Sequence, residues 1–219
     1  MIGKLLSIQV GRVQHLTAPA AAQIDGRHPF WTSAIFKSPI KGAIQVSPTA
    51  LADDQQADLN NHGGPDNIVL AYDAAHYPVW QRQLAIADLP FGSFGENFTV
   101  DGFTDESVCI GDIWRVGESL RLQVSQARQP CYKLARRLGQ PLIVKLIKER
   151  GWGGWYLRVL DEGPAEAGMT ITLEKRFHPD WPVATAVQIM YQRMVDPHRA
   201  RQLAALPELS RRWKTELLE

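Results

Sequence analysis

Cys131 stands in the run Gln126-Ala127-Arg128-Gln129-Pro130-Cys131-Tyr132-Lys133-Leu134, with a cation three residues before it, Arg128, and another two residues after it, Lys133. The preceding run, Leu120 to Ser125, alternates apolar and polar residues as a half-buried strand does. The following run, Tyr132 to Leu138, predicts a short helix ending at Gly139. Cys131 is therefore expected where a strand gives way to a helix. Pro130 suits the first helical position or the turn, because its missing N–H costs nothing there. Backbone N–H groups at a helix start and two nearby cations favour the thiolate, the form that attacks electrophiles and binds metals. The plain alternative is a buried, inert thiol, and the local sequence does not separate the two.

Other residues offer chemistry with an equally plain alternative beside it. His62-Gly63-Gly64-Pro65 is turn chemistry, and its two glycines let a backbone approach a ligand and point N–H groups at an anion. His62 reads more simply as a loop histidine bonded to a carbonyl. Asn97, in Phe94-Gly95-Glu96-Asn97, offers an amide to a ligand or satisfies its own turn. The acidic stretch Asp53 to Asp58 lacks the alternating spacing and closing glutamate of an EF-hand loop. Trp152-Gly153-Gly154-Trp155 reads as packing around a glycine turn rather than as a substrate lid. Cys109 lies in the apolar run Val108-Cys109-Ile110 and reads as core. The two cysteines show no zinc-type spacing, and a disulfide between them stays open.

The elements that must position these residues are mostly strands. Strands are expected over 4–13, 30–37, 43–46, 68–72, 113–116, 120–124, 152–160 and 169–173, at a spacing that suits a barrel or sandwich. A helix begins near Asp73 and Pro78 and reaches about Ile86, with Trp80 and Leu84 on one face; another covers Leu142 to Lys148. After a linker at 177–182, three short helices are expected at about 183–194, 197–206 and 208–218. Alone they bury little, so they must pack on the main body or on a second subunit as a homodimer. Arginines of this tail alternate with acids, which reads as a solvated face and not as a DNA-binding cluster.

The chain has 219 residues, enough for one large domain or one domain with a small appendage. Its formal net charge of +1 gives no global field for a nucleic-acid polymer or an acidic membrane surface. No stretch approaches a membrane span, and Gln9, Gly11 and Arg12 interrupt the apolar start, so no signal peptide is expected. Two cysteines in the chain suit a reducing cytoplasm.

Taken in order, His62-Gly63-Gly64-Pro65-Asp66, Phe94-Gly95-Glu96-Asn97, Gly111-Asp112 and Arg128-Gln129-Pro130-Cys131 resemble the molybdenum-cofactor-binding MOSC domain family. The likeness extends to the YiiM-like bacterial branch, which adds a C-terminal three-helix segment. The resemblance implies an α+β, mostly β fold: a MOSC-type β-barrel with flanking helices over 1–176, and the three-helix segment over 182–219. It implies a molybdenum cofactor of the molybdopterin type, with Cys131 as the one protein ligand of the metal. It places His62, Gly63 and Gly64 along the cofactor pocket, Asn97 on the facing loop, Arg128 near the metal, and Lys37 and Ser38 at the cofactor phosphate. Where the family often has a Gly-Asp pair before Gln-Ala-Asp, this chain reads Asp53-Asp54-Gln55-Gln56-Ala57-Asp58, and no cofactor contact is assigned to that stretch. The implied activity is reduction of N-hydroxylated compounds, including hydroxylaminopurine-type base analogues, to amines. No flavin or nicotinamide fingerprint is present, so electrons must come from a separate flavin or iron–sulfur reductase. The rival readings are a cofactor carrier without turnover and a persulfide sulfur-transfer protein using Cys131.

Overall fold

The fold was analysed in a computed structural model that describes residues 1–17, 28–59 and 63–219. Strands β1 (Ile2–Val10), β2 (Gln14–Thr17), β3 (Phe30–Ser33), β4 (Ser38–Pro39) and β5 (Ile44–Val46) come first. Then follow β6 (Val69–Asp73), helix α1 (His76–Leu84), β7 (Phe98–Asp101), β8 (Ile113–Val116) and β9 (Leu120–Ala127). Helices α2 (Tyr132–Leu138) and α3 (Ile143–Arg150) lead to β10 (Trp155–Asp161), β11 (Gly163–Ala165) and β12 (Thr170–Lys175). The tail holds α4 (Val183–Gln192), α5 (Pro197–Ala204) and α6 (Arg211–Leu218).

Seven strands close into a barrel in the order β12-β8-β9-β10-β6-β7-β1, with β1 pairing back onto β12. Closure removes the open edges that a sheet would otherwise expose. Neighbours are antiparallel except β6 and β7, which run parallel and are joined through α1. A parallel pair needs such a crossover, because a tight turn can only reverse the chain. Pro78 lies in the first turn of α1, where its missing N–H leaves no broken bond. The Asp73 side chain accepts the N–H of Ala75 at 2.9 Å just before that turn.

Alternation along the strands divides the molecule into two cores. Val69, Ala71, Trp155, Leu157, Val124 and Ala127 point into the barrel, where Trp114 meets Trp155 edge-on at 5.7 Å. Successive side chains on a strand face opposite ways, so Leu70, Tyr72 and Tyr156 face outward. Tyr72 roofs a second core on that outer face, stacked on Phe94 at 4.6 Å and packed with Trp80, Leu134 and Ile143. Helices α1, α2 and α3, with Leu89 of the loop after α1, supply the rest of this outer core.

The three tail helices pack on the barrel of their own chain. Val187, Met190, Leu203, Trp213 and Leu217 belong to the same apolar cluster as the barrel interior. Asp196 caps α5 by accepting the N–H of Arg199 at 3.0 Å, with Pro197 as the first helical residue. Ser210 caps α6 by accepting the N–H of Trp213 at 3.1 Å. Arg199, Arg201 and Arg211 are exposed, as a solvated face requires. The strand expected over 30–37 stops at Ser33, whose hydroxyl takes the N–H of Ile35 at 3.1 Å and turns the chain out of the ladder. Among the described residues, no helix is long and apolar enough to cross a membrane.

Trp213 is 1 % exposed. Trp213→Ala should lower unfolding stability by about 3–5 kcal/mol, within a single cooperative transition seen by both near- and far-ultraviolet circular dichroism. Two separated transitions would show instead that tail and barrel unfold independently.

Candidate functional site

A cleft lies on the outer face of the barrel wall. Leu70 of β6 and Tyr156 of β10, paired across the sheet, form part of its floor. One wall is the chain leaving β3, through Ser33, Ala34, Ile35 and Lys37. Another is the stretch 54–58, and Arg128, Cys131 and Lys133 close the side.

Cys131 is the N-cap of α2, four residues beyond the end of β9. Its backbone is extended, with φ −114° and ψ 168°, and its carbonyl accepts the N–H of Leu134 at 3.1 Å. Pro130 precedes this cap. The thiol is free and half-buried at the cleft. Arg128 is 6 % exposed, and its Nη1 is buried with no hydrogen-bond partner among the described residues. Its backbone is fixed by an N–H bond of 2.8 Å to the carbonyl of Gly154. That close approach explains Gly153-Gly154: a Cβ on Gly153 would lie 2.3 Å from the Arg128 carbonyl, and one on Gly154 2.3 Å from that of Ala71. Burial pushes the Tyr156 hydroxyl above its ordinary pKa, and the neighbouring Arg128 guanidinium pulls the other way. Tyr156 thus keeps its proton and remains a hydrogen-bond donor.

The opposite side of the cleft is organised by one carboxylate. Asp54 accepts the Lys37 ammonium at 2.5 and 2.6 Å, the Asn97 amide at 2.9 Å and the Gly11 N–H at 2.7 Å. Both side chains of the ion pair are nearly enclosed, at 8 % and 6 % exposure. Burial lowers the Lys37 pKa, and Asp54 offsets part of that effect. Asn97 is held at every polar atom. Its amide also donates to the Gln9 carbonyl at 3.2 Å, and its Oδ1 accepts the Leu70 N–H at 3.1 Å. The residue before it builds the loop. Glu96, fully buried, accepts the N–H groups of Gly92 at 2.6 Å and Phe94 at 3.2 Å and the Thr99 hydroxyl at 3.0 Å, together with the Tyr77 hydroxyl.

On the third side, Asn67 is 4 % exposed and its Oδ1 has no hydrogen-bond partner among the described residues. Its carbonyl accepts the Gln56 amide at 2.9 Å, which ties the stretch 54–58 to the turn Pro65–Asn67.

The chain matches the MOSC domain family over residues 58–172 and the YiiM-like three-α-helix domain over residues 181–219. It belongs to the MOSC-domain family. Bacillus subtilis YflK is 36 % identical over 98 % of this chain and 93 % of its own length. Escherichia coli YiiM is 35 % identical over 83 % of this chain and 81 % of its own. A Gibberella moniliformis protein named Reductase is 34 % identical over 94 % of this chain, which spans 35 % of that longer protein. The crystal structure of YiiM from Geobacillus stearothermophilus superposes with a TM-score of 0.79 at 30 % identity, covering 100 % of both chains.

Of the MOSC-type residues singled out in the sequence, Lys37, Asn97, Arg128 and Cys131 meet at this cleft. Ser38 does not: it sits exposed on β4, paired with Val10 of β1. Gly63 and Gly64 do not line it either; they lead into the turn that presents Asn67. His62 lies outside the described residues. The stretch 54–58, to which the sequence assigned no contact, forms a wall of the cleft. Asp53 takes the left-handed conformation, φ 59°, where glycine is ordinary and aspartate is among the few tolerated alternatives. Asn67 and Tyr156 were missed. Asn67 looked like part of a turn, and Tyr156 like one more residue of a strand. Gly111-Asp112 is structural: buried Asp112 holds the Cys109 N–H at 2.9 Å and Arg176 at 2.6 Å. Trp152 is packing, stacked on His76 at 4.1 Å.

Buried polar groups are almost always paired, so the unmet donor at Arg128 and unmet acceptor at Asn67 suit a ligand carrying both kinds of group, as a pterin does. No group of three or more His, Cys, Asp or Glu among the described residues is placed to hold a metal ion. A single soft thiolate, Cys131, suits a metal held mainly by the sulfurs of its own cofactor.

Two outcomes follow from this geometry. Asp54→Ala leaves the Lys37 ammonium and the Asn97 amide buried without their acceptor, and should cost about 3–5 kcal/mol of unfolding stability in urea. Burial pushes the Cys109 thiol up to about 11. A thiol-reactive dye at pH 8 should therefore label Cys131 alone in the native protein and both cysteines after denaturation. Equal labelling rates in the native state would contradict the described burial.

Proposed function

We propose that this MOSC-domain protein is a molybdenum-cofactor-dependent reductase of N-hydroxylated compounds, including hydroxylaminopurine-type base analogues. The net reaction is R–NH–OH plus two electrons and two protons, giving R–NH2 and water. The observation that carries this reading is the half-buried Cys131 thiol at a cleft whose buried Arg128 Nη1 and Asn67 Oδ1 lack partners among the described residues. When bound, the cofactor supplies the two-electron chemistry and the acceptor for the substrate oxygen.

The chain's own residues bind and orient. Cys131 supplies the protein sulfur to the metal. Arg128 places positive charge beside that sulfur, and Asn67 accepts an N–H of the bound heterocycle. Lys37, already paired with Asp54, keeps the far wall close to neutral while still offering ammonium hydrogens to a phosphate. Tyr156, held protonated by burial, orients a polar group of substrate or cofactor as a donor. A similar protein named Reductase supports the oxidoreductase class. Electrons reach the site from a separate flavin or iron–sulfur reductase, through a small transient contact. The site works in a reducing compartment, where Cys131 stays a free thiol.

The test uses protein expressed in a host competent for cofactor synthesis. Reduced viologen should be consumed at two equivalents per amine formed from a hydroxylaminopurine. Cys131→Ala should lose turnover by at least about 100-fold. Stoichiometric molybdenum with no viologen oxidation would make the protein a carrier. Cyanide-labile sulfur on Cys131 would make it a sulfur-transfer protein.

A further inference from the structure

Directly behind the cleft, the tail, the Pro65–Asn67 turn and two barrel strands meet at Asp66. Its carboxylate accepts the backbone N–H of Arg211, the first residue of α6, at 3.2 Å through Oδ2. Its Oδ1 faces the Arg158 guanidinium of β10 at 2.8 Å. Its carbonyl accepts the Ser125 hydroxyl of β9 at 2.6 Å, and that hydroxyl also reaches the Tyr156 carbonyl at 3.1 Å. The tail grips β9 at the same place. Ser210 donates its N–H to the Ser125 carbonyl at 2.9 Å and its hydroxyl to Gln126 Oε1.

Each element joined here carries a cleft residue a few positions away. Asp66 is followed by Asn67, Gln126 precedes Arg128 by two residues, and Tyr156 lies on the strand that bears Arg158. The Asp66 side chain is 27 % exposed, so its bonds are only partly shielded from water. Its orientation nevertheless decides where the following residue sits. A carboxylate at a helix N-terminus is favoured both by the free N–H and by the helix dipole.

We propose that Asp66 is a positioning residue, and that the three-helix tail acts through it to hold Asn67 against the cleft. The first turn of α6 is then part of the machinery that shapes the binding site, although none of its residues lines the cleft. The consequence for cofactor retention rests on the function proposed above; the positioning itself does not.

The contact can be cut from either side. Asp66→Ala removes the acceptor. Arg211→Pro removes the donor N–H along with the arginine side chain without breaking the helix, because proline is at home at the first helical position. Ser210, at φ −57° and ψ 146°, already has the conformation required before proline. Arg211→Ala keeps the N–H and serves as the control. Hydrogen exchange is read in cofactor-free protein, so that its outcome does not depend on any cofactor. Asp66→Ala and Arg211→Pro should each speed exchange at the amides of Asn67 to Leu70 by about tenfold or more. Strands β1, β7 and β12 should keep wild-type exchange, and so should Arg211→Ala throughout.

In cofactor-loaded protein, the same two variants should release pterin about tenfold faster than wild type, read as fluorescence of the oxidised pterin. Unchanged exchange at Asn67 to Leu70 in Arg211→Pro would overturn the proposal. So would a uniform increase across the whole barrel, which would mean a general loss of stability. Local loosening in the two variants, together with a wild-type protein that never takes up pterin, would leave the positioning intact and refute the cofactor reading alone.

Discussion

The Asp54 carboxylate is the constraint on which the rest of the site depends. Three parts of the chain that are distant in sequence converge on it: Gly11 beyond β1, Lys37 beyond β3 and Asn97 before β7. A carboxylate this enclosed is tolerable only if its acceptor positions are filled, because an unpaired buried charge costs several kcal/mol. Its partners are equally bound to it. The Lys37 ammonium would otherwise be buried alone, and burial already lowers its pKa despite the pairing. The far wall of the cleft is therefore set by mutual need among charges, before any ligand arrives.

The near wall is set differently. Arg128 and Cys131 follow the end of β9: Arg128 is fixed by its backbone bond to Gly154, and Cys131 caps α2. Gly153 and Gly154 let the strands approach to distances that any side chain would forbid. The barrel interior is filled with apolar side chains, so the outward-facing row of Leu70 and Tyr156 is what remains available for polar chemistry. The site sits on the outer face because alternation leaves it no other place.

Much of this was legible in the sequence. The alternation before Cys131, the proline and the glycine-stopped helix placed the cysteine at a strand-to-helix junction, where it is found. The strands expected over 113–116 and 120–124 and the three short tail helices have local signals and are found in those places. What escaped was long-range. Nothing near Asp54 reveals that its partners lie 17 and 43 residues away. Asn97 looked available to a ligand because the three groups that hold it come from Gln9, Asp54 and Leu70. Asp53 looked like a departure from the family pattern because sequence shows residue type and not φ, and aspartate is one of the residues that can stand in for glycine there.

The proposed role of the Cys131 sulfur is that of a ligand to the molybdenum of a bound cofactor. X-ray absorption at the molybdenum edge tests it directly, comparing cofactor-loaded wild type with Cys131→Ser. The account predicts that the variant loses one sulfur from the metal's first coordination shell and gains an oxygen or nitrogen in its place. Identical sulfur counts in the two proteins would remove Cys131 from the metal and contradict the account.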